Sequence, residues 1–261
     1  MSRKKTVRSD IAWSTADRIT VRGLDLPTQI IGRLNLGDMA FLEFMGRIPT
    51  PQESIVFNAL AVTLVEHGLV PSTLAARLTY LGAPESMQAA VAAGLCGLGS
   101  VFVGSTEGVA RMLYEAVPDP KSPGDLEALA AQIVKRFRDA KQIIPGIGHP
   151  IHRDGDPRTP RLFELAAENG FAGPYVALGQ AVARHAEEAY GKRLPINATG
   201  AIGAIACELG MPMQIVRGIG VMARAVGLVA HLLEESREPM AAEIWSRIDE
   251  EATAHARPKG A

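Results

Sequence analysis

Apolar stretches broken by short polar islands run through the chain, and the spacing of the apolar positions is helical over most of it. Ile55, Phe57, Leu60, Ala61, Leu64 and Val65 approximate one face of a helix that Pro51 to Ser54 opens and Gly68 stops. Thr73 to Tyr80 reads as the next helix, with Ser72 expected at its N-cap. Gln88 to Leu98 is almost wholly small or apolar, which predicts a helix buried on most sides. Further helices are predicted over Thr106 to Glu115, Leu126 to Ile143, Arg161 to Asn169, Tyr175 to Tyr190, Thr199 to Leu209, Pro212 to Glu235 and Met240 to His255. Strand character is confined to Ile11 to Gly23, where Trp13, Ile19 and Val21 flank the turn-like Ser14 to Asp17 and predict a short N-terminal β-hairpin.

The expected fold class is therefore all-α. Pro118, Pro120 and Pro123 mark the clearest boundary along the chain. They suggest a large helical domain from 1–116 and 212–261 and a smaller one from 117–211.

Composition narrows the function classes. Apolar residues make up 47% of the sequence and aromatics 5%, which suits closely packed helices better than large sheets. The formal charge is −1 and the one basic cluster, Ser2 to Arg8, is too short to form a nucleic-acid surface. No apolar run is long enough without a charge to span a bilayer, and the N-terminus lacks the apolar core of a signal peptide, so a cytoplasmic protein without a membrane partner is expected. Cys96 and Cys207 lack metal-ligand spacing and are expected to be buried, reduced thiols. No His/Asp/Glu set has a ligand spacing that implies a metal, and no Gly-x-x-x-x-Gly-Lys element implies a nucleoside triphosphate site.

Three polar islands carry the candidate chemistry: Glu66-His67-Gly68, the loop from Pro145 to Arg158, and Leu194 to Gly200. Each falls at a helix end or in a loop, where backbone donors and guanidinium groups can meet an anionic substrate. The middle island holds His149, His152, Arg153 and Arg158 among glycines and prolines. His152 reads as solvent-exposed.

Pro145-Gly-Ile-Gly-His149 followed by Asp156-Pro-Arg158 resembles the citrate synthase loop that wraps CoA adenine and carries the keto-polarising histidine. Glu66-His67-Gly68 with Ser72 to Arg77 is similar to that family's second histidine motif. Phe102-Val103-Gly104, with Glu107 and Ala110 to Leu113, resembles the citryl-CoA lyase module of ATP-citrate lyase, as does Asn197 to Gly203. Met222 to His231 resembles the superfamily's substrate-arginine helix, and Arg237 to Met240 its closing arginine motif.

The resemblance implies a citrate synthase-like homodimer that closes over a CoA thioester and a dicarboxylate as substrates, with no permanently bound cofactor. The implied activity is that of a citryl-CoA lyase: cleaving or forming the carbon–carbon bond between acetyl-CoA and a 2-oxo acid such as oxaloacetate. His149 would bind the carbonyl or hydroxyl oxygen. His67, Arg158 and Arg224 would take carboxylates, with Asn197 nearby and Arg237 reaching from a partner subunit. Pro145, Gly146, Ile147 and Gly148 would lie against the adenine, and Arg153 near the CoA phosphates.

One position departs from the pattern. Thr199 stands where the family carries its catalytic aspartate, and a threonine hydroxyl is not an ionised base at neutral pH. Either Glu107 or Glu66 transfers the proton instead, or the substrate differs, or the chain binds acyl-CoA and dicarboxylate without catalysis. Thr199 could still hydrogen-bond a substrate oxygen or a water.

Overall fold

A computed structural model describes residues 7–149, 152 and 154–257. It opens with three short antiparallel strands in sequential order, β1 (Ala12–Ser14), β2 (Ile19–Val21) and β3 (Leu24–Asp25). Ala12 pairs with Val21 and Ser14 with Ile19, so the expected hairpin forms around the expected turn. The third strand follows a two-residue turn in which Arg22 and Gly23 both have positive φ, the arrangement that matches the twist of a tight hairpin.

Helices make up the rest of the framework. A π-helical turn (Leu26–Ile30) leads into α1 (Leu36–Met45), which the sequence pattern does not predict. Its buried residues, Ala40, Phe41 and Leu42, are consecutive, so no helical periodicity is visible there. Asn35 starts it by accepting a hydrogen bond from the Asp38 N–H at 2.8 Å. Then come α2 (Pro51–Val65), α3 (Pro71–Gly82), α4 (Met87–Cys96), α5 (Gly104–Ala116) and α6 (Leu126–Asp139). The second half contains α7 (Arg158–Glu168), α8 (Pro174–Tyr190), α9 (Ala198–Glu208), α10 (Met213–Arg237) and α11 (Ala241–Thr253).

Several local expectations are corrected. Ser72 lies inside α3, buried, because Pro71 occupies the first turn and Val70 is the N-cap. The helix α4 buries only Ala90 and Gly94, leaving Met87 and Cys96 exposed, so its apolar composition does not reflect burial in the single chain. Cys207 is buried as expected. The helix α10 is, by length and composition, apolar enough to cross a membrane, although Arg217 and Arg224 interrupt its apolar run, so no long uncharged stretch exists there. It packs here as a core helix against α2, α3, α4 and α5.

The main core surrounds α9, whose residues from Ala198 to Cys207 are all buried except Thr199. Small side chains make that burial sterically feasible: a Cβ on Gly203 would stand 2.6 Å from the Val109 Cβ of α5. The same apolar cluster continues through Leu60 of α2, Leu113 of α5, Ile133 of α6, Leu178 of α8 and Ile219 of α10, crossing the proline-rich boundary. The end of α2 abuts α10 at Gly227, where a Cβ would collide with the Val65 carbonyl. That contact brings Glu66 and His67 beside Arg224, one turn earlier on α10.

The start of α2 is set by a capping box in which the Thr50 side chain and the Glu53 carboxylate exchange hydrogen bonds with each other's backbone N–H. Arg47 donates to both Glu53 oxygens, at 2.5 and 2.7 Å. That pairing outweighs burial and lowers the Glu53 carboxyl from the usual 4.5 to about 2. The folded value lies below the unfolded one, so this stabilisation is complete above the ordinary carboxylate range and is lost as pH falls toward 2. Arg47 is half exposed, and solvent screening limits the contribution to about 1–2 kcal/mol. Glu53→Gln is expected to lower stability by that amount at pH 7 and by little at pH 2, measured by urea unfolding; an equal loss at both pH values would refute the assignment.

Candidate active site

Two short segments meet to form the floor of the site. Residues 146–148 lie antiparallel to residues 195–197, joined by Gly148 N–H to Pro195 O at 2.7 Å and Asn197 N–H to Gly146 O at 3.0 Å. Gly146 has φ of 77°, and a Cβ there would stand 2.6 Å from the Gly200 Cα and from Val109 Cγ2. Only glycine satisfies both the conformation and the space. Asn197 caps α9 by accepting from the Gly200 N–H, while its Nδ2 donates to Gly148 O at 2.5 Å. The loop leading to His149 is thus held against the N-terminus of α9.

Asp156 completes this docking. Its buried carboxylate accepts Nε and Nη2 of Arg158 at 2.9 and 2.8 Å, and the N–H groups of Arg158 and Ala198. Burial opposes its ionisation, but the Arg158 pair and the backbone donors outweigh it and hold the carboxyl well below the usual range. Arg158, expected to bind substrate, therefore directs one edge of its guanidinium at Asp156. Nη1 has no hydrogen-bond acceptor among the described residues.

The histidines converge. The His67 and His149 ring centres are 6.3 Å apart, and His149 and His152 are 4.6 Å apart at 31°. His152 is half-buried rather than solvent-exposed. Its backbone N–H donates to Nδ1 of His149 at 3.0 Å, so the neutral His149 ring carries its proton on Nε2. Burial, with the neighbouring His152, Arg158 and His67, pushes the His149 pKa below 6.5 against the pull of Asp156, keeping it neutral at pH 7. One nitrogen from each of the three rings lies within 4.8 Å of the others, a grouping that could hold a metal ion although the sequence implied none. The Arg158 guanidinium, close enough to depress His149, opposes a cation there.

His67 is placed by a charged network that sequence reasoning missed. Glu66 accepts the N–H groups of His67 and Gly68 at 2.8 and 2.6 Å, fixing the turn after α2. His231 lies 3.0 Å from Glu66 through Nε2 and 2.9 Å from the Arg77 guanidinium through Nδ1. A guanidinium only donates, so His231 accepts from Arg77 and donates to Glu66. Arg77, fully buried, also pairs with Glu235 at 2.8 Å and with Glu234, and Glu235 accepts the Met240 and Ala241 N–H groups at the start of α11. Burial pushes the Glu66 carboxyl up, but His231 and the backbone donors outweigh it and hold it below the usual range.

Arg224 contrasts with Arg77. It is 6% exposed, and its Nε and Nη1 have no hydrogen-bond partner among the described residues. Burial lowers its pKa, with Glu66 exerting an opposing attraction. A buried unpaired guanidinium is costly unless an anion completes it.

The other candidates separate. Glu107 pairs with Arg111 and Arg217, each at 2.9 Å. The Thr199 hydroxyl donates to Asn197 Oδ1 at 2.7 Å. Pro145 packs close to Gly108 of α5, and Ile147 forms the bridge to Ile196. Arg237 ends α10, about 20 Å along the axis from Arg224 at 1.5 Å per residue, and is exposed. Arg153 lies outside the described residues.

Residues 35–245 match the family model of the citrate synthase C-terminal domain. The chain belongs to the citrate synthase family. Its fold is similar to that of citryl-CoA lyase from Hydrogenobacter thermophilus, with 34% identity, a TM-score of 0.80, and coverage of 88% of this chain and 87% of that one. An ATP citrate lyase from Methanosaeta concilii in complex with (3S)-citryl-CoA has the same fold, at 20% identity and TM-score 0.75 over 91% of this chain and 40% of that one. Citrate synthase 2 of Bacillus subtilis is 26% identical over 73% of this chain, which spans 49% of that protein's length.

Replacing Arg224 by Met removes an unpaired buried charge. The free protein is expected to gain about 1–3 kcal/mol, and a rise in melting temperature that a carboxylate probe gives the natural protein is expected to be lost. A variant that melts earlier and still responds to that probe would show that Arg224 has a structural role.

Proposed function

We propose that this citrate synthase family member is a citryl-CoA lyase-type enzyme that cleaves a citryl-CoA-like hydroxy-dicarboxylyl thioester to acetyl-CoA and a 2-oxo acid such as oxaloacetate, or runs the reverse reaction. The observation that carries this reading is the buried Arg224 guanidinium, two of its nitrogens without a hydrogen-bond partner among the described residues and Glu66 within electrostatic reach, while the His149 ring lies 6.3 Å from that of His67. A carboxylate completes Arg224, and the hydroxyl or carbonyl oxygen accepts from His149. The bond is weakened because oxygen charge that develops during cleavage meets a fixed donor. His67 and the free Nη1 of Arg158 suit a second carboxylate.

The loop at Pro145 to Gly148 is the proposed adenine surface, with Arg153 close to the CoA phosphates. The unit 117–211 would close over the thioester. Arg237 lies too far along α10 to share a carboxylate with Arg224 in one chain, which supports a homodimer in which it serves the partner's site.

A second reading, binding without catalysis, is favoured by Thr199, whose hydroxyl is donated to Asn197 and supplies no base. Citryl-CoA cleavage, followed as oxaloacetate through coupled malate dehydrogenase, separates the two. The lyase reading expects turnover by the natural protein and a loss of about 10²–10⁴-fold in kcat for His149→Ala. Ligand-induced stabilisation without product would establish the binding reading, and cleavage gained only in Thr199→Asp would locate the missing function at that position.

A further inference from the structure

Cleavage of a citryl-CoA-type thioester moves one proton from the hydroxyl oxygen to the carbon next to the thioester, and the candidate carboxylates Glu66, Asp156 and Glu107 are already engaged. Glu66 accepts two backbone N–H groups and His231. Asp156 accepts Arg158 twice through its side chain, and two backbone N–H groups. Glu107 is held by two arginines, and Thr199 donates its only proton to Asn197. A carboxylate already bound to cations and N–H groups is a weak base.

His152 differs from all of these. It is half-buried, its ring lies 4.6 Å from that of His149, and one of its nitrogens stands within 4.8 Å of nitrogens on both His149 and His67. Its ring nitrogens make no hydrogen bond among the described residues, while its backbone N–H orients His149. An imidazole in that position can take a proton and return it, which a guanidinium cannot do.

We infer that His152 is the proton carrier of this site, a catalytic residue that supplies the function the family assigns to the carboxylate replaced here by Thr199. The inference rests on the lyase reading above. In cleavage, the hydroxyl proton passes to the His152 imidazole as the carbon–oxygen double bond forms and the carbon–carbon bond breaks. The electron pair of that bond becomes the thioester enolate, and the His152 imidazolium protonates its α-carbon to release acetyl-CoA. His149 donates to the oxygen throughout, so no proton, electron or outside reactant is left unbalanced. In condensation the same proton travels from the α-carbon to the new alkoxide.

The test compares the natural protein with His152→Ala, His152→Gln and the double variant His152→Ala/Thr199→Asp. Citryl-CoA cleavage is measured alongside deuterium uptake from D2O into the methyl group of acetyl-CoA and thermal stabilisation by citrate. Both single variants are expected to lose about 10²–10⁴-fold in kcat, with KM changed by less than about threefold. Deuterium uptake should fall in parallel, citrate stabilisation should persist, and the double variant should regain exchange through the new carboxylate. A natural protein that cleaves while either folded single variant keeps kcat within about threefold overturns the role of His152 and leaves the lyase reading intact. A loss confined to KM makes His152 a binding group and equally overturns the inference. Absence of cleavage by the natural protein overturns the lyase reading, and the inference with it. His152→Gln guards against a folding defect in the alanine variant, because it keeps the bulk and hydrogen-bonding capacity of the side chain.

Discussion

The pairing of residues 146–148 with residues 195–197 is the constraint on which the rest of the site depends. It joins segments far apart in the chain through two backbone hydrogen bonds, the Asn197 side chain and a contact between Gly146 and Gly200 too close for any Cβ. Once it forms, His149 is placed over the start of α9, and Asp156 reaches the Ala198 N–H. The helix N-terminus is completed from two directions, by Asn197 as cap and by Asp156 from the loop. The backbone groups that a loop of this composition would otherwise leave unpaired are satisfied by the segment that carries Thr199.

Two buried arginines divide the electrostatics between structure and ligand. Arg77 is met by Glu235, Glu234 and His231, and through His231 and Glu66 its influence reaches the backbone of His67. Arg224, on the same helix as three of those partners, lacks a match for two of its nitrogens. A fold keeps a guanidinium buried without an acceptor only at a cost, and a bound carboxylate removes that cost. The carboxylates of Glu66, Glu107 and Asp156 are held by donors, whereas the ring nitrogens of His152 make no hydrogen bond among the described residues.

Relatives of different length match this chain. The chain spans 49% of the length of a Bacillus subtilis citrate synthase but 87% of the chain of a citryl-CoA lyase. In this chain the frame is the packing of α5, α8 and α10 around a small-residue helix, with the polar islands at the helix ends. The helix α10 has the length and apolarity of a membrane span, yet Gly227 lets α2 approach closely, and Arg224 and His231 both act on Glu66.

Helical periodicity and proline and glycine positions made the fold class and most helix positions legible in the sequence, and the family resemblance marked His67 and His149, whose ring centres the fold brings to 6.3 Å. The hairpin was visible for the same reason, through alternation around a turn. The helix α1 was not, because its buried residues are consecutive, and neither was the exposure of α4, because composition reports what a helix could bury and not what lies against it. The half-burial of His152 was not legible from its loop context: its N–H bonds to His149 and its ring lies 4.6 Å from that of His149. Only the tertiary structure decided which charges are satisfied, since Arg158 meets Asp156, Glu107 meets Arg111 and Arg217, and Arg77 meets residues more than 150 positions away. Residue type determines what a side chain can donate or accept, but whether that capacity is already used depends on neighbours that the chain brings together only when it folds.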